Sequence, residues 1–146
     1  MELEWMIAKW DDLDTALLYK ILELRSAVFV VEQTCVYQDI DGKDQESLHV
    51  YAMNKTDLVA YARIVPGSET KRTSIGRVLI HMEQRGKKIG DLLMKKCIEA
   101  AAFHFPDEKL QMSAQKHLSN YYQKHGFQVE GEPYLEDGIP HVLMKN

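Results

Sequence analysis

The chain has 146 residues, 45% hydrophobic and 27% charged, the length and balance of one folded domain, which excludes a disordered, collagenous or disulfide-scaffold protein. Its 18 basic residues are outnumbered by 22 acidic ones, for a net charge of -4, so no global positive field exists to hold nucleic acid or an anionic membrane. An anionic ligand must be held locally.

The opening segment MELEWMIAKWDDLD alternates acidic and apolar residues and lacks the basic start and apolar run of a signal peptide, so the mature chain is expected to begin here. No uncharged apolar run approaches the roughly 18 residues of a membrane-spanning helix. Cys35 and Cys97 stand far apart without metal-like spacing, which fits a reducing, cytoplasmic compartment. Residues 3 to 9 alternate as a short strand, and Asp11 or Asp12 then caps a helix carrying Leu13, Leu17, Ile21, Leu24 and Val28 at helical spacing. Thr34 to Glu46 is a polar, acidic loop punctuated by Gly42. Leu48 to Met53 reads as a strand, and Asn54 to Asp57 turns it back into Leu58 to Val65. Beyond Pro66 and Gly67, Ser74 to Ile80 completes an antiparallel meander.

The apolar period then becomes helical through Ile89, Leu92, Leu93, Cys97, Ala100 and Ala101, ending near Pro106. Leu110 to Gln115 alternates again, and a strand-helix-strand crossover places its two strands parallel. A short helix from His117 to His125 stops at Gly126, and Phe127 to Val129 with His141 to Met144 forms a last strand pair around the turn Glu136-Asp137-Gly138. The expected architecture is a single α/β domain over residues 1–146 with a mixed, mostly antiparallel sheet flanked by helices.

Val78 to Gly90 is the segment richest in chemistry, because a strand passes there through a glycine-containing basic loop into a helix. Backbone N–H groups at a helix start have no intrahelical acceptor and carry the positive end of the helix dipole, so such a loop can hold a pyrophosphate. Arg85, Lys87 and Lys88 add charge. The six histidines show no H-x-H or H-E-x-x-H spacing and the cysteines no C-x-x-C, so no metal site is indicated. Asp39-x-Asp41-Gly42-x-Asp44 lacks the glycine and glutamate positions of an EF-hand loop and reads as a solvated acidic loop or an acceptor site. Neither a nucleophile elbow nor a P-loop is present.

Two segments in order resemble a known family. Arg85-Gly86-Lys87-Lys88-Ile89-Gly90 resembles the acetyl-CoA signature of the GNAT N-acetyltransferases, and Tyr122-x-Lys124-x-Gly126-Phe127 resembles their second signature. Arg25 to Gln33, Asp39 to Asp44, His49, Ala62-Arg63, Ile75 to Val78, Ala114-Gln115 and Glu136 to His141 are similar to the ElaA-type branch, so the resemblance covers nearly the whole chain. It departs at Lys88, where the signature usually has glycine; a Cβ fits there if the backbone is already helical at negative φ.

The resemblance implies a GNAT-like fold in which two parallel strands splay apart around acetyl-CoA as co-substrate. It implies that the backbone of Val78 and Ile80 pairs with the pantetheine amides. The amides of Arg85, Gly86, Lys87, Lys88, Ile89 and Gly90 would take the pyrophosphate, with Gln115 contacting the cofactor arm and Tyr122 protonating the departing thiolate. The implied reaction is direct attack by a primary amine of a small molecule or peptide, with no nucleic-acid or membrane partner and with a homodimer compatible with the family. A non-catalytic CoA-binding or protein-docking module on the same fold is the alternative. Glu32, His49, His117 and His141 are candidates for the general base, Glu32 and His49 foremost with Tyr122 as catalytic residues. Arg25, Gln33, Asp41, Asp137 and His141 are expected to line the acceptor pocket, together with Asp39, Asp44 and Glu136. Arg25 either holds a substrate carboxylate or bridges to Glu32 or Asp39 structurally.

Overall fold

The computed structural model describes residues 2–69 and 71–146. Seven strands form one sheet in the order β1-β2-β3-β4-β5-β7-β6, and only the β4–β5 pairing is parallel. Strands β1 (Glu4–Lys9), β2 (Leu48–Asn54), β3 (Asp57–Val65) and β4 (Thr73–Ile80) make the expected antiparallel half. Helix α2 (Ile89–His104) crosses to β5 (Leu110–Gln115), and the hairpin of β6 (Gln128–Glu136) and β7 (Ile139–Lys145) completes the other half. The mixed, mostly antiparallel α/β architecture read from the sequence is the one observed.

Alternation along the central strands explains the layering, since successive side chains of a strand point to opposite faces. Val50, Ala52, Ala60, Ala62 and Ile64 on one face pack with Leu93, Met94, Cys97 and Ala101 of α2. Tyr51, Tyr61 and Leu79 on the other face pack with Ile21 and Val28 of the first helical segment. That segment begins as α1 (Thr15–Arg25) and widens into a π-helical turn over Ser26–Glu32. Its cap is Asp14, which accepts a hydrogen bond from the Leu17 amide at 2.7 Å. Asp11 and the adjacent Asp12, expected as the cap, instead lie in a 3-10 turn over Trp10–Asp12. The Asp137-Gly138 turn has both residues at positive φ, +52° and +78°, the twist that closes a two-residue hairpin. Its strands are longer than expected. All nine residues of β6 are exposed and Gly131 bulges at φ +82°, so no buried alternation marks this edge strand in the sequence.

Candidate active site

Strands β4 and β5 are joined through Thr73–Leu110 and Ser74–Gln111 alone, and beyond those pairs they diverge. The divergence opens a cleft of about 1100 Å³ between them. Opposite Tyr61 to Arg63 of β3, strand β4 carries one extra residue, and Arg77 sits in this bulge at φ +50°. Val78 and Ile80 follow it along one wall of the cleft, while Ala114 and Gln115 of β5 stand on the other. The backbone edges that face each other across the gap have no strand partner, so they are free to meet an extended guest.

The cleft runs up to the start of α2. No side chain caps this helix, which leaves its first-turn amides and the positive end of a 16-residue helix facing the opening. Arg85, Gly86, Lys88, Ile89 and Gly90 line it, whereas Lys87 lies outside the lining and donates to Gln84 Oε1 at 2.9 Å. The backbone of Lys88 is left-handed, at φ +60°, so the negative φ that would make a Cβ costless there is not adopted. The lysine therefore occupies a conformation that glycine takes more readily. Lys88→Gly is expected to stabilise the ligand-free protein by up to ~1 kcal/mol in urea unfolding, with acetyl-CoA affinity kept within a few-fold; a lower urea midpoint would show that the lysine side chain compensates for its backbone.

Gly90 has a different reason to be glycine. A Cβ built there would lie 3.0 Å from the Tyr121 hydroxyl, so the bare backbone lets Tyr121 lie across the helix start. Burial and then a hydrogen bond to Asp91 raise the Tyr121 phenol above its ordinary range. Tyr121 lines the cleft and was missed in the sequence, where the signature directs attention to its neighbour Tyr122. Tyr122 is 7% exposed on the cleft wall, its hydroxyl has no hydrogen-bond partner among the described residues, and burial pushes its phenol up to about 12. It stays protonated at neutral pH as a hydrogen-bond donor.

At the far end of the cleft, several groups named from the sequence are already committed. Arg25, Arg63 and Arg77 alternate with Asp39, Asp41 and Asp44 in a closed ring, in which each arginine pairs with two aspartates and each aspartate with two arginines. Arg25 donates to Asp39 Oδ2 at 3.0 Å and to Asp44 Oδ1 at 2.7 Å, and it is 0% exposed. It is a structural bridge, which excludes it from the acceptor pocket. Burial by itself raises the carboxyls of Asp41 and Asp44, but the guanidiniums beside them more than reverse this and hold both well below the ordinary carboxylate range. Asp41 still lines the cleft, but as a member of the ring.

His49 is also 0% exposed, and its ring nitrogens meet the Tyr61 hydroxyl at 2.7 Å and the Asp44 carbonyl at 2.9 Å. Burial lowers its pKa. With no route to a ligand it is a core histidine, contrary to the catalytic expectation. Glu32 does line the cleft, but Arg85 grips it with two hydrogen bonds of 2.6 and 3.0 Å, which lowers its carboxyl pKa and ties the π-helical turn to the α2 loop. Gln33 and Gln115 meet across the cleft at 3.2 Å, and the Cys35 thiol lies 3.6 Å from the Asp137 carbonyl. Burial pushes the Cys97 thiol up to about 12, so it is an inert core group. His117, Glu136, Asp137 and His141 all line the cleft. Among the described residues no three His, Cys, Asp or Glu side chains gather to hold a metal ion, and no helix is long and apolar enough to cross a membrane.

Residues 19–146 match the family model described as an acetyltransferase (GNAT) domain. Protein ElaA of Escherichia coli strain K12 is 44% identical over 145 residues, covering 97% of this chain and 95% of that protein. The crystal structure of E. coli ElaA superposes with a TM-score of 0.94 at 43% identity, over 99% of both chains. An acyl-CoA N-acyltransferase from Pseudomonas aeruginosa matches with a TM-score of 0.94 at 39% identity, again over 99% of both. An aminoglycoside 6'-N-acetyltransferase complexed with coenzyme A, at 14% identity and a TM-score of 0.73 over 97% of this chain and 96% of that one, shares the fold alone.

Proposed function

Because the chain belongs to the GNAT acetyltransferase family, we propose that it moves an acetyl group from acetyl-CoA to a primary amine of a small molecule or peptide by direct attack. The observation that carries this reading is the wedge between β4 and β5, which leads unpaired backbone edges up to an uncapped helix start. Pantetheine is an extended arm with two amides, a match for Val78 and Ile80 on one wall and Gln115 on the other. On this reading the amides of Arg85 to Gly90 would take the pyrophosphate, a role supported by the cleft lining of all of them but Lys87. An aminoglycoside 6'-N-acetyltransferase of the same fold is complexed with coenzyme A, which supports a CoA-borne donor.

The chemistry this chain supplies is mostly orientation. A thioester held along β4 would have its carbonyl beside backbone N–H donors, and a neutral amine approaching from the far end would be held at attacking distance. The Tyr122 hydroxyl, without a hydrogen-bond partner among the described residues, would donate to the departing sulfur.

Saturating acetyl-CoA is expected to raise the melting temperature, since a ligand at one hundred times its Kd adds roughly 2.7 kcal/mol to the native state. The accompanying assay screens polyamines, amino acids, aminosugars and peptide N-termini for amine-dependent thiol release. A thermal shift with no thiol release from any amine would favour a CoA-binding module, and no shift with acetyl-CoA, CoA or desulfo-CoA would remove the cofactor reading.

A further inference from the structure

We propose that His141 is the group that takes the proton from the incoming amine, an assignment that rests on the acyl-transfer reading above. Of the four candidates named from the sequence, two are engaged elsewhere: Glu32 in a two-point pair with Arg85, and His49 in the core. His117 lines the cleft, but no hydrogen bond to its ring is found among the described residues, so nothing fixes its tautomer.

His141 differs on each count. It lies on β7 directly opposite Gln115 of β5 and Tyr134 of β6, and it is 7% exposed on the cleft wall. Its Nδ1 is 2.7 Å from the Ile139 carbonyl. A carbonyl oxygen only accepts, so Nδ1 carries the hydrogen and the neutral ring keeps its lone pair on Nε2. Nε2 stands 3.3 Å from Glu136 Oε2, and that carboxylate in turn accepts from Ser113 at 3.1 Å through its other oxygen. The Tyr134 ring stacks on the imidazole at 6.3 Å between centroids, and its hydroxyl is hydrogen-bonded to Ser113. The titratable groups against the ring are Glu136 and Tyr134 of β6; Asp137 lies in the adjoining turn, the 3-10 turn of Lys116–Leu118 that packs on β7 brings Lys116 and His117, and the opposing β5 residue, Gln115, is neutral. A proton arriving on Nε2 faces the Glu136 carboxylate across that gap.

The step balances without another reactant. The amine arrives as an ammonium with three N–H bonds. One proton passes through Nε2 of His141 to solvent, and the neutral nitrogen then attacks the thioester carbon. The C–N bond forms and the C–S bond breaks, its electron pair going to sulfur. A second proton leaves nitrogen and ends on that sulfur, and the third remains on the amide.

The test compares wild-type, His141→Asn and His141→Gln with the best amine from the screen across pH 6 to 10. Expected is a drop in kcat/KM of about a hundredfold at pH 7 in both variants, with the acetyl-CoA thermal shift retained. The deficit should narrow toward pH 10, where the amine arrives neutral. Equal turnover by the variants overturns the assignment, and so does a loss that is the same at every pH, since that is what a merely structural role gives. Should both variants fail to fold, ¹⁵N NMR of wild-type decides: a neutral His141 protonated on Nδ1 upholds it and one protonated on Nε2 overturns it. A wild-type protein that releases no thiol with any amine instead removes the acyl-transfer reading, a distinct result.

Discussion

Tyr122→Phe is expected to lower kcat by about ten- to a thousandfold while leaving the melting temperature and the acetyl-CoA thermal shift close to wild-type. The substitution removes one oxygen that bonds to nothing else in the described protein, so no buried partner is orphaned and the ring keeps its place against α2 and Phe127. What is lost, on the proposed acyl transfer, is a donor at the sulfur. A phenol pushed up to about 12 does not ionise in the working range, so the wild-type side chain offers its hydrogen at every pH from 6 to 10. The ratio of the two rates should therefore be flat across that range, unlike the ratio expected for His141. An unchanged kcat would return Tyr122 to a purely packing role, and an effect confined to KM would make it a positioning residue.

Arg25→Met should destabilise the protein by ~3–5 kcal/mol, because it removes the cation shared by Asp39 and Asp44 and leaves two buried carboxylates with less countercharge. Urea unfolding of the ligand-free protein reads this directly, and a loss below ~1 kcal/mol would mean that the ring carries little of the fold. Arg25→Lys is expected to fall between, since an ammonium cannot span both partners as the guanidinium fork does. The acid side follows with a defined sign. Asp41 and Asp44 have depressed pKa values in the folded state, so their contribution is fully present above the ordinary carboxylate range and is lost as the pH falls below it toward their folded values. Wild-type stability should hold down to about pH 5 and then decline, and Arg25→Met should flatten that decline.

The central sheet and α2 were legible because their burial leaves a pattern in the letters: Leu48 to Met53 and Leu58 to Val65 are near-continuous buried runs either side of a turn, Leu110 to Gln115 alternates, and the α2 apolar face repeats at helical spacing. The cleft lining beside α2 was legible for a related reason, as glycines and a basic loop between a strand and a helix are local features. The ring of charges at the far end was not. The same charged letters that read as a solvated acidic loop or a substrate site are neutralised by arginines from α1, β3 and β4, and a sequence does not show which distant charges meet in the core. His49 carries the same lesson, since its burial depends on Tyr61 and the Asp44 backbone, 12 and 5 residues away. The π-helical turn at Ser26–Glu32 and the left-handed Lys88 left no compositional trace, because each is imposed by what surrounds it.

The gap between β4 and β5 also bears on how such a protein can change over generations. Its β4 edge is written in main chain, and every amino acid but proline supplies the same N–H and C=O. Substitutions along Val78 to Ile80 can thus drift in side chain without removing those groups from the cleft wall. The opposite end is written in side chains, with Gln33, Ser113, Glu136 and His141 each one codon from a different chemistry. One half of the cleft is robust to mutation and the other is responsive to it.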